Sequence, residues 1–111
     1  MSPLKQTANW QQQTAEFAQN HNLSHDPGVY LVDLLSELGE VGKAWLLATD
    51  YGQRPLAPQV DANLQAELGD ALYSLCQMAT AAGVDLDKAL SETLAKYEAR
   101  LQTKGHSGSQ S

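Results

Sequence analysis

Leu31-Val32-Asp33-Leu34-Leu35-Ser36-Glu37-Leu38-Gly39-Glu40-Val41-Gly42-Lys43-Ala44-Trp45 places apolar side chains at 31, 34, 35, 38, 41 and 45. Steps of three and four residues are those of an α-helix with a broad buried face. Working outward, the same period returns downstream in Leu64, Leu68, Leu72, Leu75 and Ala79, and again in Leu86, Ala89, Leu90, Leu94 and Leu101. Upstream, Trp10, Thr14, Phe17 and Ala18 fall on one helical face. Alternating patterns of period two are missing, β-branched residues are few, and Ala, Leu, Gln and Glu are many. The chain therefore reads as all-α, a four-helix bundle.

The punctuation between these stripes sets the boundaries. A first helix is expected from about Pro3 to Gln19, ending at Asn20-His21-Asn22. Asp26 before Pro27 predicts the next start, with Asp26 as an Asx cap and Pro in the first turn, where its missing N–H costs nothing. That helix should run to about Thr49. Asp50 to Pro58, with Gly52, Pro55 and Pro58, predicts the longest loop. Asp61 caps a third helix reaching about Ala82, and Gly83 ends it by tolerating a left-handed conformation. Asp85 or Asp87 opens a fourth helix to about Thr103. One helical domain, residues 1–104, and a tail, 105–111, account for the chain.

Composition narrows the function. With 111 residues the chain is one small domain, and small domains leave much apolar surface in water unless they associate. Apolar residues make up 42% and charged ones 18%, which fits a folded globular protein. No apolar run approaches the roughly 20 residues of a membrane span, and Met1 to Asn9 lacks a signal-peptide pattern, so a cytoplasmic location away from membranes is expected. A formal charge of −6, with only seven Lys and Arg, disfavours nucleic-acid binding. An anionic partner would need a cation to mediate. The single cysteine, Cys76, cannot form an internal disulfide and reads as a small core or interface residue.

Two short patterns carry chemistry: Glu37-Leu38-Gly39-Glu40 and Glu67-Leu68-Gly69-Asp70. Residues three apart on a helix are neighbours, so each pattern presents two carboxylates side by side, at a cost in repulsion. One such pair alone would ordinarily be a solvated acidic face. Here both pairs sit among leucines, and both include a glycine, which in a helix costs about 1 kcal/mol relative to alanine. Close helix packing through Gly39 and Gly69, with a hard cation held by oxygens between the helices, would offset both penalties. The absence of Glu-x-x-His argues against a di-iron bundle.

These residues resemble a known family. Leu34-Leu35-Ser36-Glu37-Leu38-Gly39-Glu40-Val41-Gly42-Lys43-Ala44, followed by Glu67-Leu68-Gly69-Asp70-Ala71-Leu72-Tyr73, is similar to the E-x-x-E then E-x-x-D signature of the MazG-like all-α nucleotide pyrophosphohydrolases. That superfamily includes dimeric dUTPases, dCTP pyrophosphatase and phosphoribosyl-ATP pyrophosphatase. His25-Asp26-Pro27 resembles the H-x-P lead-in of the dCTP pyrophosphatase branch, Thr49-Asp50-Tyr51-Gly52 a helix exit of small members, and Lys96 to Arg100, continuing to Ser109, a family ending. The resemblance implies Mg2+-dependent hydrolysis of a nucleoside triphosphate between its α and β phosphates. It assigns Glu37, Glu40, Glu67 and Asp70 to metal binding and catalysis, and implies a homodimer or homotetramer.

Around that centre, His25, Lys96 and Arg100 are the candidate substrate contacts: His25 for a base, the two cations, one turn apart, for phosphates. Trp45 is a core residue or a stacking surface, and Lys43 an ion-pair partner of Glu40 or a phosphate contact. The chain departs from the family in having Ser36 and Lys43 where many members have acids, and Ala89 and Thr93 where Lys-x-x-x-Asn is frequent. Those departures bear on the choice of substrate and leave the four acids intact. Two alternatives remain open: a non-catalytic helical dimerisation or regulatory module with a structural metal site, and a pyrophosphatase for another phosphorylated metabolite.

Overall fold

The computed structural model describes residues 9–104. Their fold is all-α, with four helices: α1 (Trp10–Asn20), α2 (Pro27–Ala48), α3 (Ala62–Ala81) and α4 (Leu86–Lys104). Pro3 to Ala8, expected to begin the first helix, and the tail beyond residue 104 lie outside the described residues.

Short polar side chains start three of the helices by accepting N–H groups that a first turn leaves without partners. Asn9 accepts from Gln12 N–H at 2.6 Å and Asp61 from Leu64 N–H at 2.9 Å. Asp85 accepts from Asp87 N–H at 3.0 Å and from Lys88 N–H at 3.3 Å, so Asp85 opens α4 and Asp87 falls in its first turn. Asp26 departs from expectation: its side chain makes no capping hydrogen bond, and α2 starts on the preset φ of Pro27 alone. Gly83, at φ +73°, closes α3 in the left-handed region as its position predicted.

α2 and α3 run antiparallel and form the principal packing unit, with α1 laid across α3. The core is narrow: Ala18 from α1, Tyr30 and Ala44 from α2, and Ala71, Cys76 and Ala79 from α3. Ser74 and Gln77 are buried with them. The first turn of α4 is tied to α1 by Leu86 N–H donating to the Gln11 side chain at 2.8 Å and by Asn9 donating to Asp87 at 2.8 Å, and Leu86, Ala89 and Leu90 line one hollow with Trp10, Leu72 and Leu75.

The broad apolar face of α2 is only partly covered within the chain, in line with a small domain that leaves apolar surface in water unless it associates. Leu31, Leu35, Leu38 and Trp45 are exposed, Val32 and Leu35 at 65% and 62%, and on α1 so are Trp10 and Phe17. α2 has one full-length partner, α3, and a helix covers only the side of its neighbour that it faces. The glycine expectation is corrected too: a Cβ built on Gly39 or Gly69 meets nothing within 4 Å, so neither marks a close helix contact within the chain. No described helix is long and apolar enough to cross a membrane.

Candidate metal and substrate site

The register of the α2–α3 hairpin builds the site. Tyr30 on α2 lies against Gln77 on α3, whose amide reaches the Tyr30 hydroxyl at 3.4 Å. Seven residues on, two turns further along α2, is Glu37; seven residues back along α3 is Asp70. Equal steps along antiparallel helices keep opposed residues level, so Glu37 meets Asp70 at the same seam. One turn beyond, Glu40 and Glu67 fall level in turn.

Glu37, Glu67 and Asp70 each present a carboxylate oxygen, and these three atoms lie within 4.8 Å of one another. Glu37 and Glu67 are half-buried and Asp70 is exposed. The fourth acid, Glu40, stands outside this triad, exposed on the wall of an adjoining groove to which Glu67 also contributes. Glu37 titrates above its ordinary value: partial burial disfavours its charge, and Asp70, Glu67, Glu40 and Asp33 add repulsion. Carboxylates with no ion-pair partner among the described residues, gathered on a helix seam, are a donor set suited to a hard cation, which takes oxygen ligands. By donor chemistry the residues fit Mg2+.

The groove, about 860 Å³, opens between the C-terminal half of α2 and the α2–α3 loop. Ala44, Leu47, Pro55 and Leu56 give it apolar walls, and Lys43 and Arg54 bring positive charge. Arg54 is placed by an ordered turn. Thr49, 1% exposed, donates its hydroxyl to the Trp45 carbonyl at 2.9 Å and accepts from Gly52 N–H at 3.0 Å. Asp50, Tyr51 and Gly52 then follow at φ +51°, +57° and +82°. Left-handed backbone costs a non-glycine residue roughly 1–2 kcal/mol, so two successive ones must be held by their surroundings. Tyr51 N–H bonds the Leu46 carbonyl at 2.6 Å and Arg54 N–H the Thr49 carbonyl at 3.0 Å, which fixes where Arg54 departs from the turn.

The other sequence candidates lie elsewhere. His25 stacks edge-on against Tyr30, ring centroids 5.5 Å apart, in a separate hollow of about 400 Å³ shared with Gln77. Lys96 and Arg100 are on α4, their cationic groups 5.6 and 5.8 Å from the Tyr97 ring centroid, and neither lines the groove beside the acids. Trp45 is partly exposed, its ring 3.9 Å from where a Cβ on Gly52 would sit. The Cys76 thiol is buried, and burial pushes its pKa up, which fits a core role. Sequence reasoning passed over Arg54 as loop. The available signal was a lone cation in a Gly- and Pro-punctuated loop directly after the first acidic helix.

An all-α hairpin that faces E-x-x-E on one helix with E-x-x-D on the next presents an acidic seam of oxygen donors. The chain belongs to the MazG nucleotide pyrophosphohydrolase family: the model of that domain matches residues 27–104, all of α2, α3 and α4. The match begins two residues beyond His25, and α1 precedes it. Comparison with curated proteins gave no match.

Proposed function

We propose that this protein is a Mg2+-dependent nucleoside triphosphate pyrophosphohydrolase, converting a triphosphate and water into a monophosphate and pyrophosphate. The observation that carries this reading is the carboxylate triad of Glu37, Glu67 and Asp70 on the seam of a MazG hairpin, adjoining through Glu67 a groove with two cations. Membership in the family supports nucleotide chemistry; the acids support the metal.

Glu37, Glu67 and Asp70 would hold Mg2+, with Glu40 completing the set from the groove wall. When bound, the ion supplies neutralisation of phosphate charge and a lower pKa for attacking water. Glu67 and Asp70, one turn apart on α3, fix one side of the site, and Glu37 faces them from α2. Glu37, which faces the α3 pair from the other helix, accepts the proton of the water that attacks the α-phosphorus. The bond to the α–β bridging oxygen breaks, and pyrophosphate leaves with that oxygen. Ala44, Leu47 and the loop prolines give one side of the groove an apolar lining.

The protein acts as a homodimer or a pair of dimers. Val32 and Leu35 on α2 and the α4 stripe of Leu90, Leu94, Tyr97 and Leu101 are exposed, apolar surface suited to burial against a second subunit. The open faces of Gly39 and Gly69 would then meet a second chain. Sedimentation at micromolar concentration tests this, and an active species at 12.0 kDa contradicts it. The activity itself is tested by pyrophosphate release from a panel of nucleoside triphosphates with Mg2+ and with EDTA. Release confined to the Mg2+ samples is expected; no release from any member would overturn the reading.

A further inference from the structure

We infer that Lys43 and Arg54 form a phosphate-binding arm that receives the β and γ phosphates, the leaving pyrophosphate, in the loop-side groove. The assignment of which phosphates rests on the pyrophosphohydrolase reading; the anion site itself rests on the groove.

Three observations converge. Both cations line the same groove as Glu40 and Glu67, so it adjoins the acidic triad through Glu67. Among the described residues, neither side chain has a hydrogen bond or an ion pair, although Glu40, Asp61 and Glu67 line the same space. Cations left unpaired beside three acids are available to a ligand, and an arginine fork with an ammonium nearby suits a polyphosphate. Finally, Arg54 is carried by the Thr49–Gly52 turn, where two non-glycine residues adopt left-handed backbone around a buried threonine. That turn fixes the departure of the arginine relative to α2, the helix that carries Glu37 and Glu40. Lys43, one turn past Glu40 on the same helix, continues the line from the metal site outward.

The arm gives the site a preference for substrates with two phosphates beyond the scissile bond, and it makes pyrophosphate an inhibitor. Arg54 and Lys43 contact phosphate directly, whereas Thr49 acts through the turn and is a positioning residue.

Calorimetric titration of the full chain with inorganic pyrophosphate in Mg2+, for wild type, Arg54→Ala, Arg54→Lys, Lys43→Ala and Thr49→Val, tests the inference. Arg54 and Lys43 are exposed, so their removal leaves the core intact. Each alanine variant should bind pyrophosphate about tenfold more weakly, the loss of a charge-assisted hydrogen bond. Arg54→Lys should recover part of that affinity, and Thr49→Val should lose part of it. The rise in Tm on adding Mg2+ alone should match wild type in the Arg54 and Lys43 variants. In steady-state assays the KM for triphosphate should rise more than kcat falls. Unchanged pyrophosphate affinity in both alanine variants overturns the inference, as does weakened binding of a nucleoside monophosphate with pyrophosphate unaffected, which would put the nucleoside in this groove. Weakened pyrophosphate binding in a chain that hydrolyses no nucleotide would uphold the anion site and reject the enzymatic reading instead.

Discussion

The two acidic pairs are nearly the same in sequence and unequal in the folded chain. On α3, both Glu67 and Asp70 join the cluster; on α2, Glu37 joins it while Glu40 faces the groove. Glu37 is half-buried, with four other acids acting on it, and Glu40 is exposed. Identical spacing within a helix thus yields different electrostatic burdens once a second helix is set against it. Four neighbouring acids act on Glu37, so a cation bound among the carboxylates would relieve repulsion there.

The largest expected effect is on activity. Glu37→Gln, Glu67→Gln and Asp70→Asn should each lower kcat/KM by about a hundredfold or more, since each removes a ligand from an ion supplying several kcal/mol of transition-state stabilisation. Glu40→Gln should also impair turnover, and circular dichroism should show all four variants folded. Full activity in Asp70→Asn would remove the triad from the mechanism.

Metal and nucleotide should come next. Mg2+ should raise the Tm of wild type, because it binds the native triad and not the unfolded chain. A non-hydrolysable triphosphate should raise it further only when Mg2+ is present. Equal stabilisation by nucleotide in EDTA would break the link between the acids and the substrate.

Smaller, and aimed directly at the comparison, is the stability of the metal-free variants. Glu37→Gln should melt above wild type in EDTA, and Glu40→Gln should differ less from it. The pH dependence has a definite sign. The folded pKa of Glu37 is raised, so between the ordinary glutamate value and that raised value the native state holds more protons than the unfolded one. The associated stability is fully present below the ordinary value and is lost as pH rises through the folded pKa. Melting curves in EDTA should show this decline in wild type and a flatter profile in Glu37→Gln; parallel profiles would refute the crowding of charge on Glu37.

The smallest expected effect lies two turns away on the same seam. Gln77 is 4% exposed, and its side-chain oxygen has no hydrogen-bond partner among the described residues. Gln77→Met removes the unpartnered oxygen but also the amide donor to the buried Tyr30 hydroxyl, and should destabilise the fold by about 1 kcal/mol in denaturant titration.

Much of this was legible in the sequence, for identifiable reasons. Apolar steps of three and four gave all four helices, and Asp61, Gly83 and Asp85 marked ends because capping and left-handed turns depend on neighbours in the chain. Asp26 misled because a capping side chain must also turn inward, which its type alone does not settle. An excess of apolar surface on α2 was legible in the breadth of its stripe, whereas the open faces of Gly39 and Gly69 were not, since they depend on which neighbours α2 has. Within the site, the pairing of acids along each helix could be read, whereas the setting of Tyr30 against Gln77, which brings Glu37 to Asp70, is a tertiary choice. Arg54 was missed because its position comes from the backbone path of Asp50, Tyr51 and Gly52, where no periodicity speaks.

The central claim is the bond that breaks. Phosphorus-31 NMR of a nucleoside triphosphate incubated with the protein and Mg2+ follows every phosphate at once. Attack at the α-phosphorus predicts matched growth of monophosphate and pyrophosphate signals, abolished in Asp70→Asn. Diphosphate with orthophosphate, or the same products from Asp70→Asn at the wild-type rate, would contradict it.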